Sequence, residues 1–214
     1  CGTAGTDAQS RFAVVSTDSP ASGQPPVDTT DPGSVGTDGA PFFTQPDDGS
    51  GHLELAAELR RLRGLVAGST FEDVHDAVGV VRELADQLEA AGTRMDPLSF
   101  SSWGVPEHLG ANPAIGVRNP VSTPLEPVVF PDGTVRADLV LGIEYQGPPG
   151  CVHGGIVALL FDEMLGLANA AAGSVGMTAD LRVSYKSPTP LLQPLRFEAR
   201  QIRTEGRKIW SEAT

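Results

Sequence analysis

A histidine followed by two glycines, His153-Gly154-Gly155, stands at the start of a long apolar segment whose composition predicts a buried helix. Two adjacent residues without side chains let a ligand approach the backbone closely, and the first N–H groups of a helix have no acceptor within the helix. The helix dipole adds partial positive charge at the same place, which stabilises a carbonyl oxygen that becomes negative. The motif therefore predicts an oxyanion-binding site. The alternative is structural: paired glycines can serve only to let a helix pack tightly on a sheet.

Two carboxylates, Asp162 and Glu163, interrupt the apolar segment 156–172. A carboxylate in an apolar helix loses hydration that must be replaced, so packing alone seldom places one there. We therefore expect at least one of the two to have a function. Asp162 lies nine residues after His153, about 13 Å along a helix axis. One chain does not bring them together easily, whereas a two-fold dimer could set one subunit's carboxylate beside the glycines of the other.

Two stretches of the chain together resemble a known family. Residues 153–162 (HGGIVALLFD) and 178–188 (TADLRVSYKSP) are similar to the hotdog-fold acyl-CoA thioesterases of the 4-hydroxybenzoyl-CoA thioesterase superfamily, phenylacetate-pathway type. The resemblance covers roughly residues 112–214. It implies an α+β fold in which an antiparallel sheet wraps around one central helix. It also implies a thioester hydrolase that acts on acyl-CoA without metal or cofactor, as a homodimer or homotetramer.

The resemblance also implies roles for individual residues. The family's catalytic carboxylate falls on Asp162, which would act as general base on water or as direct nucleophile; its spacing does not separate the two. The backbone amide that polarises the thioester carbonyl falls on Gly154. The hydroxyl that helps to hold the attacking water falls on Thr178.

Other positions are expected to support this site. His153 is predicted to brace its loop through hydrogen bonds rather than to transfer protons, and Gly155 is a further candidate donor to substrate. Many relatives carry Asn six residues before the motif histidine, where this chain has Gly147 with Gln146 beside it. These two are predicted to bind substrate in a different way. Glu163, about 100° round the helix from its neighbour, is the second candidate carboxylate.

The main alternative function is a non-catalytic hotdog module that binds acyl-CoA as a sensor or carrier. A binding module would have little use for the carboxylate of Asp162 close to a thioester, which favours an enzyme. Cys151, two residues before His153, could be a thiol nucleophile or half of a metal site, but no second Cys or His lies at ligand spacing. It is predicted to be a small buried residue. The sequence motifs of serine hydrolases, zinc peptidases, nucleotide hydrolases and Rossmann enzymes are absent from the chain.

Hydrophobic periodicity supplies the elements that must position these residues. Alternation with a period of two predicts strands at residues 135–145, 177–186, 195–204 and 208–213, with 125–130 as a hairpin partner of the first. Residues 97–214 are therefore predicted to form the hotdog domain. Apolar residues at helical spacing in 52–96 predict a helical hairpin before it.

Residues 1–51 differ in composition, because 34 of them are Gly, Pro, Ser, Thr or Asp and Arg11 is their one cation. Such a segment cannot bury a core, so an acidic disordered tail is predicted. The family fold closes with one further strand beyond Thr214, and the chain does not begin with Met. We therefore expect a chain that is cut at both ends and an exposed sheet edge.

Charge and cysteine content limit the partners and the compartment. The formal net charge of -12, with no basic run, argues against nucleic acid as a partner. No window approaches 18 consecutive apolar residues, so no membrane span is expected. Two cysteines in different settings fit a reducing compartment and predict a cytoplasmic protein. A lipoprotein acylated at Cys1, which is followed by Gly2, is the alternative.

Overall fold

The computed structural model of the protein describes residues 13–18, 39–42, 49–92, 109–123 and 125–214. Within them lie three helices, α1 (His52–Gly68), α2 (His75–Ala91) and α3 (Gly154–Ala171). The strands are β1 (Ala13–Asp18), β2 (Ala40–Pro41), β3 (Val128–Val129), β4 (Val135–Val140), β5 (Met177–Val183), β6 (Pro194–Glu205) and β7 (Lys208–Ala213). The strands form one sheet in the order β2-β3-β4-β6-β7-β1-β5, and each neighbouring pair is antiparallel.

Helix α3 is the centre of the core. Its buried side chains include Leu160, Phe161, Met164 and Leu165, and they pack with the inward-facing residues of β4, β6 and β7. By length and mean hydropathy α3 is the one helix in the described ranges that could cross a membrane. Its packing inside the sheet accounts for that composition. This is the predicted arrangement of a hotdog α+β fold, one apolar helix wrapped by an antiparallel sheet.

The predicted strands are present, but three are shorter than predicted: β3 covers only Val128–Val129, β4 ends at Val140 and β5 ends at Val183. Val135, Ala137 and Leu139 are buried on alternate positions of β4, as the period of two requires. The strand ends at Val140 rather than at 145, and a 3-10 turn follows at Ile143–Tyr145. Tyr145 is buried, as the alternation predicted, but it lies in this turn and not in β4.

The predicted disordered tail, residues 1–51, is wrong for two short segments. Strand β1 pairs with β7 along its whole length, from Ala13 opposite Ala213 to Asp18 opposite Lys208, and pairs with β5 on its other side. Strand β2 pairs with β3. Strand β7 therefore has neighbours on both sides, β6 and β1, and the two edge strands of the described sheet are β2 and β5. Residues 1–12, 19–38 and 43–48, including Cys1, lie outside the described residues.

Both predicted helices between 52 and 96 are present, although residues 93–96 lie outside the described part. Helix α1 packs on the domain: Ala56 is buried, and the helix contacts the Ile143–Tyr145 turn. Helix α2 has no buried residue, and its apolar side chains such as Val78 and Val81 are exposed. A packed helical hairpin would require side chains of α2 to be buried against α1, and none of them is buried.

Candidate active site at the central helix

The N-terminus of α3 is closed by the side chain of His153, which is the N-cap residue. Its Nδ1 accepts a hydrogen bond from the Gly155 N–H at 3.0 Å, and its carbonyl oxygen accepts one from the Ile156 N–H at 2.9 Å. The N–H of Gly154 donates to no acceptor in the described part of the chain. This leaves one backbone donor at the positive end of the helix dipole, where a carbonyl oxygen would be stabilised.

The two glycines differ in whether their N–H groups are available to a ligand. Because the amide proton of Gly155 is already held by the His153 imidazole, Gly155 offers no unused donor at this helix end. Its predicted contact with substrate stays a prediction, and it would require the cap to open. The ring of His153 acts as a hydrogen-bond acceptor within its own loop, and its predicted bracing role stays a prediction.

Asp162 lies in the middle of α3 and is half-buried. The Thr178 hydroxyl, at the start of β5, donates to Asp162 Oδ1 at 2.8 Å. The structure therefore brings together two residues that the sequence assigned to one site, although 16 positions separate them. Gly154 lies eight residues before Asp162 on the same helix, about 12 Å away along its axis. One chain thus holds both groups and keeps them apart.

Glu163 has a different partner from its neighbour. Asn112 Nδ2 donates to Glu163 Oε2 at 2.9 Å, while Asn112 Oδ1 accepts from the N–H groups of Ala114 and Ile115. Burial raises the pKa of Glu163 above its ordinary value; the hydrogen bond from Asn112 lowers it, and the nearby charge of Asp162 raises it. Glu163 therefore attaches the segment 109–123 to the central helix. It points away from Thr178, as its position round the helix predicts.

Tyr185 is a residue at this site that the sequence analysis missed. The predicted strand 177–186 includes it, but β5 ends at Val183 and Tyr185 is 55% exposed. Its hydroxyl donates to the carbonyl oxygen of Gly154 at 2.9 Å. A Cβ placed on Gly154 would lie 3.6 Å from its ring, so the ring forms a wall beside the unused amide. Nothing in the alternation of β5 signals this contact.

Gln146 and Gly147 hold the loop before His153. Gln146 Oε1 accepts from the Gly150 N–H at 3.3 Å, and the Gly147 N–H donates to the Cys151 carbonyl at 2.9 Å. A Cβ on Gly147 would lie 2.7 Å from His153 Cα, so this loop has no room for a side chain there. That accounts for glycine at this position. The predicted contacts of both residues with substrate stay predictions, and Cys151 is buried as predicted.

A cleft of about 740 Å³ lies next to Tyr185. Its apolar lining comes from α3, β5 and β6, and includes Val157, Phe161, Val183 and Phe197. Four charged side chains line it and each has an ion-pair partner: Arg200 donates to Glu212 within the lining, whereas Arg196 and Glu198 pair with Asp138 and Arg136 outside it. The cleft therefore offers apolar surface beside the glycine end of α3 without an uncompensated charge.

Comparison with known proteins agrees with this architecture. Residues 149–211 match the family model of the thioesterase superfamily. The chain also resembles a crystal structure of a thioesterase superfamily protein, with 30% sequence identity and a TM-score of 0.71 over 82% of this chain and 94% of that one. This chain belongs to the thioesterase superfamily. The predicted family and the predicted hotdog α+β fold are both confirmed.

Particular relatives are similar over a shorter stretch. A segment of 73 residues is 40% identical to the acyl-coenzyme A thioesterase THEM4 of Mus musculus, covering 34% of this chain and 31% of that protein. The THEM4 of Rattus norvegicus matches to the same extent. The similarity thus spans about a third of the length of these relatives.

Proposed function

We propose that this protein hydrolyses an acyl-CoA thioester to a carboxylic acid and free CoA. One water is consumed, the bond between the acyl carbon and sulfur breaks, and the CoA thiolate takes up a proton. The observation that carries the proposal is the Gly154 N–H, which has no acceptor among the described residues and opens the helix on which Asp162 pairs with Thr178. Membership of the thioesterase superfamily and the names of the THEM4 relatives support the reaction class.

Gly154 would stabilise the charge that develops during the reaction. Its N–H would donate to the thioester carbonyl oxygen, which becomes negative when the carbonyl carbon is attacked. The donor is fixed before the reaction, because the His153 cap and the Tyr185 hydroxyl both hold the same helix end. Loss of one such donor typically lowers the rate by about 10²–10³.

Asp162 would supply the base or the nucleophile. The hydroxyl of Thr178 occupies Oδ1 and so orients the carboxylate, which leaves Oδ2 for a water or for the thioester carbon. A correctly placed general base contributes roughly 10²–10⁴ in rate. The contact with Thr178 is the support for assigning this part to Asp162 rather than to Glu163, whose carboxylate binds Asn112.

A homodimer would complete the site. Because α3 separates Gly154 from Asp162, each carboxylate would act with the partner subunit's Gly154. The edge strand β5 supports this assembly: it carries Thr178, and its Met177 is 54% exposed. Two copies that pair through β5 about a two-fold axis would form two equivalent sites. A tetramer would be built from such dimers.

The full chain incubated with a panel of acyl-CoAs tests the proposal, with the released thiol trapped and measured. We expect CoA release from at least one substrate. Asp162→Asn should lower kcat by about 10²-fold or more. Glu163→Gln is the matched control on the neighbouring carboxylate and should retain most of the activity. Binding of acyl-CoA without release of CoA, unchanged by Asp162→Asn, would instead support the sensor or carrier function.

A further inference from the structure

Helix α1 approaches the Ile143–Tyr145 turn through two glycines. A Cβ on Gly68 would lie 2.6 Å from Ile143 Cγ2, a distance that real side chains do not tolerate. A Cβ on Gly64 would lie 3.6 Å from Glu144 Oε2. The second distance is an ordinary contact that alanine could make, so only Gly68 is required by the close approach. Helix α1 therefore packs closely against this turn.

The third residue of the turn is held by an arginine of α1. Arg63 Nη2 donates to the Tyr145 hydroxyl, and the guanidinium carbon lies 5.0 Å from the centroid of the Tyr145 ring. The same guanidinium donates through Nη1 to the Val121 carbonyl at 2.8 Å, and the Tyr145 hydroxyl donates to the Ser122 carbonyl at 3.1 Å. Arg63 therefore joins α1, the 109–123 segment and the turn.

Packing alone does not account for Arg63. Its Nε is buried and has no hydrogen-bond partner among the described atoms. A buried donor without an acceptor lowers stability, because it has lost its hydrogen bond to water. A sequence that specifies one fold keeps such a conflict mainly where function requires it. The position of this guanidinium thus points to a role beyond stability.

The turn leads directly to the proposed oxyanion site. The carbonyl oxygen of Tyr145 accepts a hydrogen bond from the His153 N–H at 2.9 Å. His153 caps α3 and immediately precedes Gly154. Contacts therefore run without a gap from Arg63 through Tyr145 and His153 to the amide of Gly154.

We infer that α1 is a brace for the active site and that Arg63 is a positioning residue for the Gly154 amide. The inference rests on the proposed function. A displacement of about 1 Å at a reacting group can cost around 10²-fold in rate. The Gly154 N–H acts most strongly on the negative charge of the thioester carbonyl oxygen, which develops in the transition state. Loosening the brace therefore lowers kcat while KM changes little.

Three variants of the full chain test the brace: Arg63→Met, Tyr145→Phe and the double substitution. Arg61→Met is the matched control, because Arg61 lies on the same helix and pairs with Glu58 in solvent. Three quantities are measured: kcat for acyl-CoA, KM for acyl-CoA, and hydrogen exchange of the peptide covering residues 143–156. We expect Arg63→Met to lower kcat about tenfold or more with KM within about twofold, and to speed exchange in that peptide. The double variant should be little worse than Arg63→Met.

If Arg63→Met does not fold, Gly68→Ala serves as the second variant. Its Cβ would displace Ile143, whereas Gly79→Ala on α2 meets open space and is the control. The inference would be overturned if Arg63→Met had the kcat of the wild type and the same hydrogen exchange at 143–156. If Arg63→Met does not fold, the same result in Gly68→Ala would overturn it. If the wild-type protein releases no CoA, the proposed function fails. The exchange measurement then still decides whether α1 braces this loop.

Discussion

The imidazole of His153 caps the central helix, and we propose that it serves the site in this way rather than through proton transfer. It replaces the usual Ser, Thr, Asp or Asn of a helix N-cap, and its Nδ1 binds the second glycine amide. The first glycine amide is thereby left as the single donor for a ligand. A histidine beside two glycines thus selects which of the two N–H groups stays available.

Substitution of His153 separates capping from proton transfer. We predict that His153→Asn keeps most of the activity, because asparagine is a strong N-cap acceptor. His153→Ala should destabilise the protein by about 1 kcal/mol and lower kcat. Urea denaturation and kcat of both variants check this. A loss of activity in His153→Asn as large as that in His153→Ala, with stability intact, would assign the ring a chemical role.

Glu163 predicts a pH dependence of stability. Burial raises its pKa in the folded state, so the folded state binds this proton more tightly than the unfolded chain. The carboxyl therefore destabilises the fold when it is ionised, and the stability of the wild type falls as pH rises above the unfolded value of 4.5. Glu163→Gln should remove this part of the dependence. Urea midpoints of both proteins, measured from pH 4.5 to 8, test this; parallel curves would contradict it.

Residues with a local signature were predictable, and residues joined by distant contacts were not. His153, Gly154 and Asp162 lie on one helix, where spacing fixes their geometry. Tyr185 and Asn112 act through single hydrogen bonds to residues 31 and 51 positions away. A pattern within one segment carries no information about such a contact.

At the scale of elements, β4, β7 and the central helix follow from the sequence because their apolar side chains are buried: on alternate positions of the two strands, and over most of the helix. Strand β1 does not follow, because its environment is made by β5 and β7 rather than by its own segment. The Gly, Pro, Ser, Thr and Asp around it dominated the composition of residues 1–51. Similarly, alternation through Tyr145 predicted a strand where a 3-10 turn contacts α1.

Strand β1 is predicted to contribute to stability although the surrounding composition favours disorder. Proline at position 15 removes an N–H from a strand that is paired on both sides. Val15→Pro should lower the free energy of unfolding by about 1–3 kcal/mol. Val15→Thr keeps the N–H and the β-branched shape and is the control. Equal urea midpoints for all three proteins would show that β1 is dispensable.

At the scale of the whole molecule, the central question is how two groups on one rigid helix can act on the same carbonyl. Helix α3 keeps Gly154 and Asp162 about 12 Å apart along its axis. A second copy would resolve this geometry, and the edge position of β5 leaves a strand available for it. The proposed mechanism therefore requires the homodimer, because one chain alone does not bring Asp162 and Gly154 together.

The two halves of the site can be removed separately. Asp162→Asn removes the carboxylate that would act as base or nucleophile. Gly154→Pro removes the N–H at the first helical position, where proline is well tolerated, and His153 already has the extended backbone that precedes proline, with φ -63 and ψ 131. Each variant alone should lose about 10²-fold or more in kcat.

Mixing these two inactive variants is the most direct test of the shared site. After subunit exchange at equal concentrations, half of the dimers are mixed and each holds one intact pair, Asp162 of one protomer with the partner subunit's Gly154. The account predicts recovery of about a quarter of the wild-type activity. A mixture that stays as inactive as its components, although mixed dimers are demonstrated, would contradict it.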